Sequence, residues 1–163
     1  MRAAPTLALA IALLACDPVH SDAVDALGGE AAGVKRGPTH RPGQPCVTCH
    51  DGAIGDPPAF SVAGTVYVDE SGTTPASGAT VTMTSSDGIS AHTATTNEVG
   101  NFYVSPSQYT PTYPMKVEVT YGKSAVAMAS AVGRDGSCAD CHTSTAGRSS
   151  AGRVFIPADG GTP

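Results

Sequence analysis

The chain has 163 residues, a formal net charge of −5, 40% apolar and only 14% charged residues, and no Trp. So low a charged fraction argues against a coiled coil or a highly charged disordered chain. Nine Lys and Arg with no basic run argue against a nucleic-acid partner, since little would displace the counterions of a phosphate backbone. With 19 Gly and 13 Pro, what remains is one small, loop-rich, all-β domain.

In chain order, Arg2 precedes a mostly apolar run, Leu7 to Ala15, that is too short to span a bilayer and ends in a small residue. Residues 1–15 are therefore expected to be a targeting segment rather than part of the fold. The run closes as Leu13-Leu14-Ala15-Cys16, which resembles the lipobox of bacterial lipoproteins. That resemblance implies acylation of Cys16 and a mature chain starting there; a plain signal peptide with an incidental cysteine is the other reading. Several acyl chains, at about 0.8 kcal/mol per buried CH₂, would hold the protein to a membrane without a transmembrane helix. Export implies an extracytoplasmic, thiol-oxidising compartment.

Residues 16–45 read as a flexible tether. Gly28-Gly29, Gly33, Gly37-Pro38 and Pro42-Gly43-Gln44-Pro45 deny it regular structure, with room for a turn or two of helix over Asp22 to Ala32. A coil of this length has an end-to-end distance of roughly 30 Å.

The next segment, residues 46–59, holds the strongest signal. Four of the five cysteines lie in two pentapeptides, Cys46-Val47-Thr48-Cys49-His50 and Cys138-Ala139-Asp140-Cys141-His142, both of the form C-x-x-C-H. At this Cys and His content the whole chain would hold roughly 0.005 such pentapeptides by chance. Two thiols three positions apart can add to the two vinyl groups of one haem, and the adjacent His then lies under the iron. Two covalently attached haem c groups are therefore expected, with His50 and His142 as proximal ligands. Two rival readings use the same residues. A Cys₄ zinc site would need an unusually long gap between its pairs and has no use for the histidines. Two Cys-x-x-Cys disulfides lack the βαβ setting of a thioredoxin-type motif.

From Phe60 the period of apolar residues becomes two. Val62, Gly64, Val66 and Val68 alternate with Ala63, Thr65 and Tyr67; Ala79, Val81 and Met83 with threonines; Met115, Val117, Val119 and Tyr121 with Lys116, Glu118 and Thr120. Shorter strands are expected over Ile89 to Thr96, Asn101 to Ser105, Ala125 to Val132 and Arg153 to Ile156, with turns at Asp69 to Gly72, Asp87-Gly88, Gly100-Asn101 and Tyr121 to Lys123. Seven half-buried strands at this spacing predict a single β-sandwich.

The strings Gly64-Thr65-Val66, Gly78-Ala79-Thr80-Val81 and Thr95-Thr96-Asn97-Glu98-Val99-Gly100-Asn101-Phe102 together resemble the carboxypeptidase regulatory-like domain. The resemblance covers residues 60–133 and implies a Greek-key, transthyretin-like sandwich without catalytic residues of its own. Residues 134–163 then carry the second haem loop and the last strand, and Gly136 to Pro157 resembles the haem-bearing end of small envelope cytochromes. With haem-bearing loops at both chain ends, the two turns are expected to share one end of the sandwich.

Sixth iron ligands must come from the remaining residues. His40, in a Pro-rich loop six residues before Cys46, is the first candidate, and His92 is the second if Ile89 and Ala91 face inward. His20 reads as tether. Met83, Met115 and Met128 read as core. No G-x-S-x-G elbow, H-E-x-x-H or phosphate loop occurs. The expectation is thus an electron-transferring dihaem cytochrome, lipid-anchored to a bacterial membrane, whose partners are redox proteins of the envelope, basic ones being favoured by its acidic surface. The alternatives are a haem-dependent peroxidase or reductase, which needs an open iron position, and a non-haem surface-binding sandwich.

Overall fold

The computed structural model describes residues 18–52 and 57–160; the expected targeting segment and Cys16, both within 1–17, lie outside them, as do 53–56 and 161–163. The expected all-β class is what the chain adopts. Helix α1 (Pro18–Ala26) and a single turn α2 (Cys46–Cys49) precede strands β1 (Val62–Thr65), β2 (Thr80–Thr84), β3 (Ala91–Thr95), β4 (Asn101–Val104), β5 (Lys116–Tyr121) and β6 (Ser124–Ala127), and a 3₁₀ turn covers Cys138–Asp140. The strands form two antiparallel sheets, one of order β3-β2-β5-β6 and one pairing β1 with β4.

Alternation sets the core. Along β2, Val81 and Met83 are fully buried while the three threonines are only half covered. They meet Val62 and Val66, Phe102 and Val104 of β4, and Met115 and Val119 in one apolar cluster. Met83 and Met115 fill that cluster, as their positions predict.

Four local expectations need correction, the last of them in β1. The first concerns β3, where Ala91, Thr93 and Thr95 face out and His92 and Ala94 are half-buried, the reverse of the expected phase. Antiparallel register explains it: His92 lies opposite Met83 and Ala94 opposite Val81, and opposed residues share a face. The second concerns Arg153 to Ile156, which forms no regular strand. It makes a parallel bridge from Phe155 to Tyr67, with Tyr67 N–H donating to Val154 O at 2.9 Å and Ile156 N–H to Tyr67 O at 2.8 Å. Pro157 has no N–H with which to extend it.

The third concerns the tether, which is folded from residue 18 onward. Helix α1 packs against α2, and Arg41, the one non-glycine residue with positive φ (51°) among those described, ties the intervening loop together. Its guanidinium donates to the carbonyls of Leu27 and Gly28 at the end of α1, to Glu30 at 3.1 Å and to Gln44 at 2.8 Å. Asn97 Nδ2 donates to Pro38 O at 2.7 Å and Asn101 Nδ2 to His40 O at 3.0 Å, which pins the loop to the sandwich. Gly and Pro exclude regular structure here, but a five-donor side chain supplies fixed structure in its place.

Strand β1 organises the rest. All four of its residues are buried, whereas alternation predicted a half-buried strand. One edge pairs with β4, from Val62 opposite Val104 to Thr65 opposite Asn101. The other is closed by two separate pieces of the C-terminal segment, since Ala63 N–H donates to Gly136 O at 2.9 Å and Tyr67 carries the Val154–Ile156 bridge. Residues 138–153 are therefore an excursion between two anchor points on one strand edge. From the other end of the chain, Gly43 N–H donates to Thr65 Oγ1 at 2.8 Å, and α2 packs on β1.

Gly64 gives the second excursion its room. A Cβ placed there would lie 2.8 Å from both Cβ and Sγ of Cys138 and 3.1 Å from Phe102. Gly64→Ala is expected to overpack this contact and destabilise the fold by about 1–3 kcal/mol. Urea unfolding measures that loss, and hydrogen exchange is expected to locate the loosened amides at 136–142 rather than in β2 or β5.

Candidate functional site

Each C-x-x-C-H stretch folds into one helical turn that ends on its histidine. In the first, His50 N–H donates to Cys46 O at 3.0 Å and Val47 O at 3.1 Å; in the second, His142 N–H donates to Cys138 O at 2.9 Å. A turn of this kind brings residues i and i+3 to the same side and delivers the next residue beside them. The segments that follow are closed by main-chain bonds, Phe60 N–H to His50 O at 2.7 Å and Ala151 N–H to Cys141 O at 3.0 Å.

Both rings are held in the same way. His50 Nδ1 is 2.7 Å from Pro58 O, and His142 Nδ1 is 2.8 Å from Gly152 O. A carbonyl oxygen only accepts, so Nδ1 carries the proton and a neutral ring is left with its lone pair on Nε2. A histidine held in this way presents its Nε2 lone pair, the arrangement a metal-ligating ring requires. His50 is buried, and Phe60 stacks on its ring at 4.2 Å and 14°, with Tyr103 stacked in turn on Phe60 at 4.9 Å and 18°.

His40 joins the first turn. Its ring centroid lies 5.9 Å from that of His50, at 79° between planes. Its Nδ1 is 3.1 Å from Glu30 Oε1, which also accepts from Arg41. Partial burial alone would raise the Glu30 carboxyl, but the hydrogen bonds from Arg41 and His40 hold it below its ordinary range. A carboxylate there, like the carbonyls above, accepts a hydrogen bond from His40 Nδ1–H and leaves Nε2 open. The two imidazoles thus stand as near-perpendicular neighbours beside the first Cys turn.

The other candidates are placed differently. His92 stacks on Tyr109 at 5.6 Å and lines a groove with Tyr103 and Gln108 that contains no residue of either Cys turn. His20, read as tether, instead lies beside the first turn, with Nδ1 3.4 Å from Asp51 Oδ2. Cys16 lies outside the described residues.

The four described cysteines are free thiols. Among the described residues no three His, Cys, Asp or Glu side chains converge as a metal-binding cluster. The two turns are nonetheless neighbours, for both pack on β1. The Cys138 thiol is pushed up to about 12 by burial first, then by the charges of Cys46 and Asp135. Burial likewise raises Cys46. What sequence reasoning missed are the groups that hold the histidines: the Pro58 and Gly152 carbonyls, Phe60, Glu30, and the α1 contact. A backbone carbonyl has no residue signature, and Glu30 stands ten positions from the ring it holds, so neither leaves a local pattern.

No protein-family model, no curated protein and no solved structure matches this chain. The geometry itself predicts an order of thiol reactivity. In protein produced without haem-attachment machinery, mild iodoacetamide treatment at pH 8 is expected to label the exposed Cys141 first and Cys138 last, because a thiolate is the reacting form and burial suppresses it. Peptide mass mapping over time reads the order; early labelling of Cys138 would contradict it.

Proposed function

We propose that this chain is a dihaem c-type cytochrome that carries electrons at the bacterial cell envelope, held to a membrane through an acylated Cys16. The observation that carries the reading is the twofold recurrence of one arrangement: a Cys-x-x-Cys-His turn whose histidine donates an Nδ1–H hydrogen bond to a main-chain carbonyl and keeps Nε2 open. Covalent haem c would be held through Cys46, Cys49 and His50 in one turn and through Cys138, Cys141 and His142 in the other. When bound, haem supplies a one-electron couple whose potential follows its axial ligands over about 0.8 V.

The chain's own residues do the positioning. Pro58 and Gly152 orient the proximal rings, Phe60 fixes the plane of His50, and β1 keeps the two turns adjacent. Adjacency favours a relay, in which two redox centres exchange electrons within one small domain and pass them to a partner protein. His40, oriented by Glu30 and 5.9 Å from His50, would be the second histidine to hold the first haem. A filled sixth position suits a carrier better than a peroxidase or reductase. The acidic chain suits a basic redox partner.

A pyridine haemochrome assay with intact mass is expected to show two covalent haems per chain after expression with cytochrome c maturation machinery. The Cys46→Ala, Cys49→Ala variant is expected to keep one. A wild-type mass without haem would end the reading. For His40→Ala, one of two low-spin haems is expected to become high-spin in optical and EPR spectra while both remain attached; unchanged spectra would pass the ligand role to another residue, His20 being next by position.

A further inference from the structure

Arg153 lies where the two Cys turns meet. It follows Gly152, whose carbonyl holds His142, and it lines a cleft with Cys138 and His142 of the second turn, Tyr67 beyond β1, and Gly43, three residues before Cys46. Its guanidinium carbon sits 5.1 Å from the centre of the Tyr67 ring. The side chain is pressed onto main chain at two glycines, both with positive φ: a Cβ at Gly43 would lie 2.6 Å from Nη1, and one at Gly72 would collide with Cδ and Nε.

For a half-buried side chain whose Nε is fully covered, it has few partners. Its one hydrogen bond among the described residues is from Nη1 to Tyr67 Oη at 3.4 Å, and Nε is buried without an acceptor. None of the ion pairs among the described residues includes it. Asp69, whose charge reaches Tyr67, has its oxygens committed to Ser71, Thr73 and Thr74. A guanidinium cannot shed its proton, and covering its Nε without an acceptor is unfavourable. Its planar fork matches a carboxylate with two parallel N–H···O bonds.

We infer that Arg153, stacked on Tyr67, is the binding site for a haem propionate. The inference rests on the cytochrome reading, which brings carboxylates to this cleft. Either haem could supply the group: the second is attached at Cys138, which lines the cleft, and the first at Cys46, just beyond Gly43. A positive charge paired with a propionate favours the reduced iron, so removing it lowers that haem's potential.

The test uses the haem-loaded full chain, with Arg153→Met and Arg153→Lys compared with wild type by redox titration. Arg153→Met is expected to shift one of the two midpoints downward by at least a tenfold change in the reduction equilibrium, which is 59 mV for one electron, with Arg153→Lys in between. Repeating the titration in the Cys46→Ala, Cys49→Ala and the Cys138→Ala, Cys141→Ala backgrounds identifies which haem supplies the carboxylate. Thermal unfolding gives an independent readout: Arg153→Met is expected to leave haem-free protein as stable as wild type or more so, yet to destabilise the loaded protein. Wild-type protein without covalent haem would overturn the cytochrome reading and this site with it. Two haems with unmoved midpoints, and equal loss of stability in both forms, would overturn the propionate site alone and leave Arg153 as packing against Gly43 and Gly72.

Discussion

The free edge of β1 is the constraint from which the arrangement follows. A strand with one regular neighbour exposes a row of unpaired amides and carbonyls that must be covered. Here the cover comes from two short pieces of the C-terminal segment, at Ala63 and at Tyr67. Because both lie on one edge, the chain between them has to leave and return within a short distance, and that excursion is the second Cys turn. The first turn feeds into the same strand from its N-terminal side. Both His-bearing turns are thus placed by main-chain bonding to one strand, with little demand on side-chain identity beyond the small residues that let the backbones approach. Gly136 shows how close that approach is, since a Cβ there would collide with the main chain of Ser61.

The two histidine environments share a principle but not a sequence. The carbonyl that accepts from Nδ1–H is eight residues beyond His50 and ten beyond His142. What recurs is a turn that ends on the histidine and a chain that doubles back over its ring. His40 reaches the same state by another route, with a carboxylate in place of a carbonyl. Glu30 in turn depends on Arg41, so the orientation of His40 traces back to the guanidinium that also closes the end of α1.

Much of the fold was legible because strand periodicity is local: Val81 and Met83 alternate with threonines, and that pattern alone points both side chains into the core. The Cys turns were legible for the same reason, since five adjacent residues carry the whole motif. What failed was non-local. The phase of β3 is set by its register against β2, which places His92 opposite Met83 and overrides the weak local pattern of Ile89 and Ala91. The loop before Cys46 is ordered by Arg41, Asn97 and Asn101, residues that look like ordinary polar surface in a linear reading. Arg153 gave no signal either, because its isolation is a property of what fails to surround it.

The two-point closure of β1 also sets an order of events in time. Contacts between residue 63 and residue 136, and between residue 67 and residues 154–156, join parts of the chain far apart in sequence. Contacts of that range form slowly, because long loops must close before any bonding is gained. The four-stranded sheet can assemble from hairpins and the single β2–β5 crossover while β1 is still open along one edge. Through that interval the first turn, complete by residue 50, and the second, still unanchored, remain reachable by any machinery that acts on extended chain. On contact range alone, the strand that holds the two turns together is expected to be the one that shuts last.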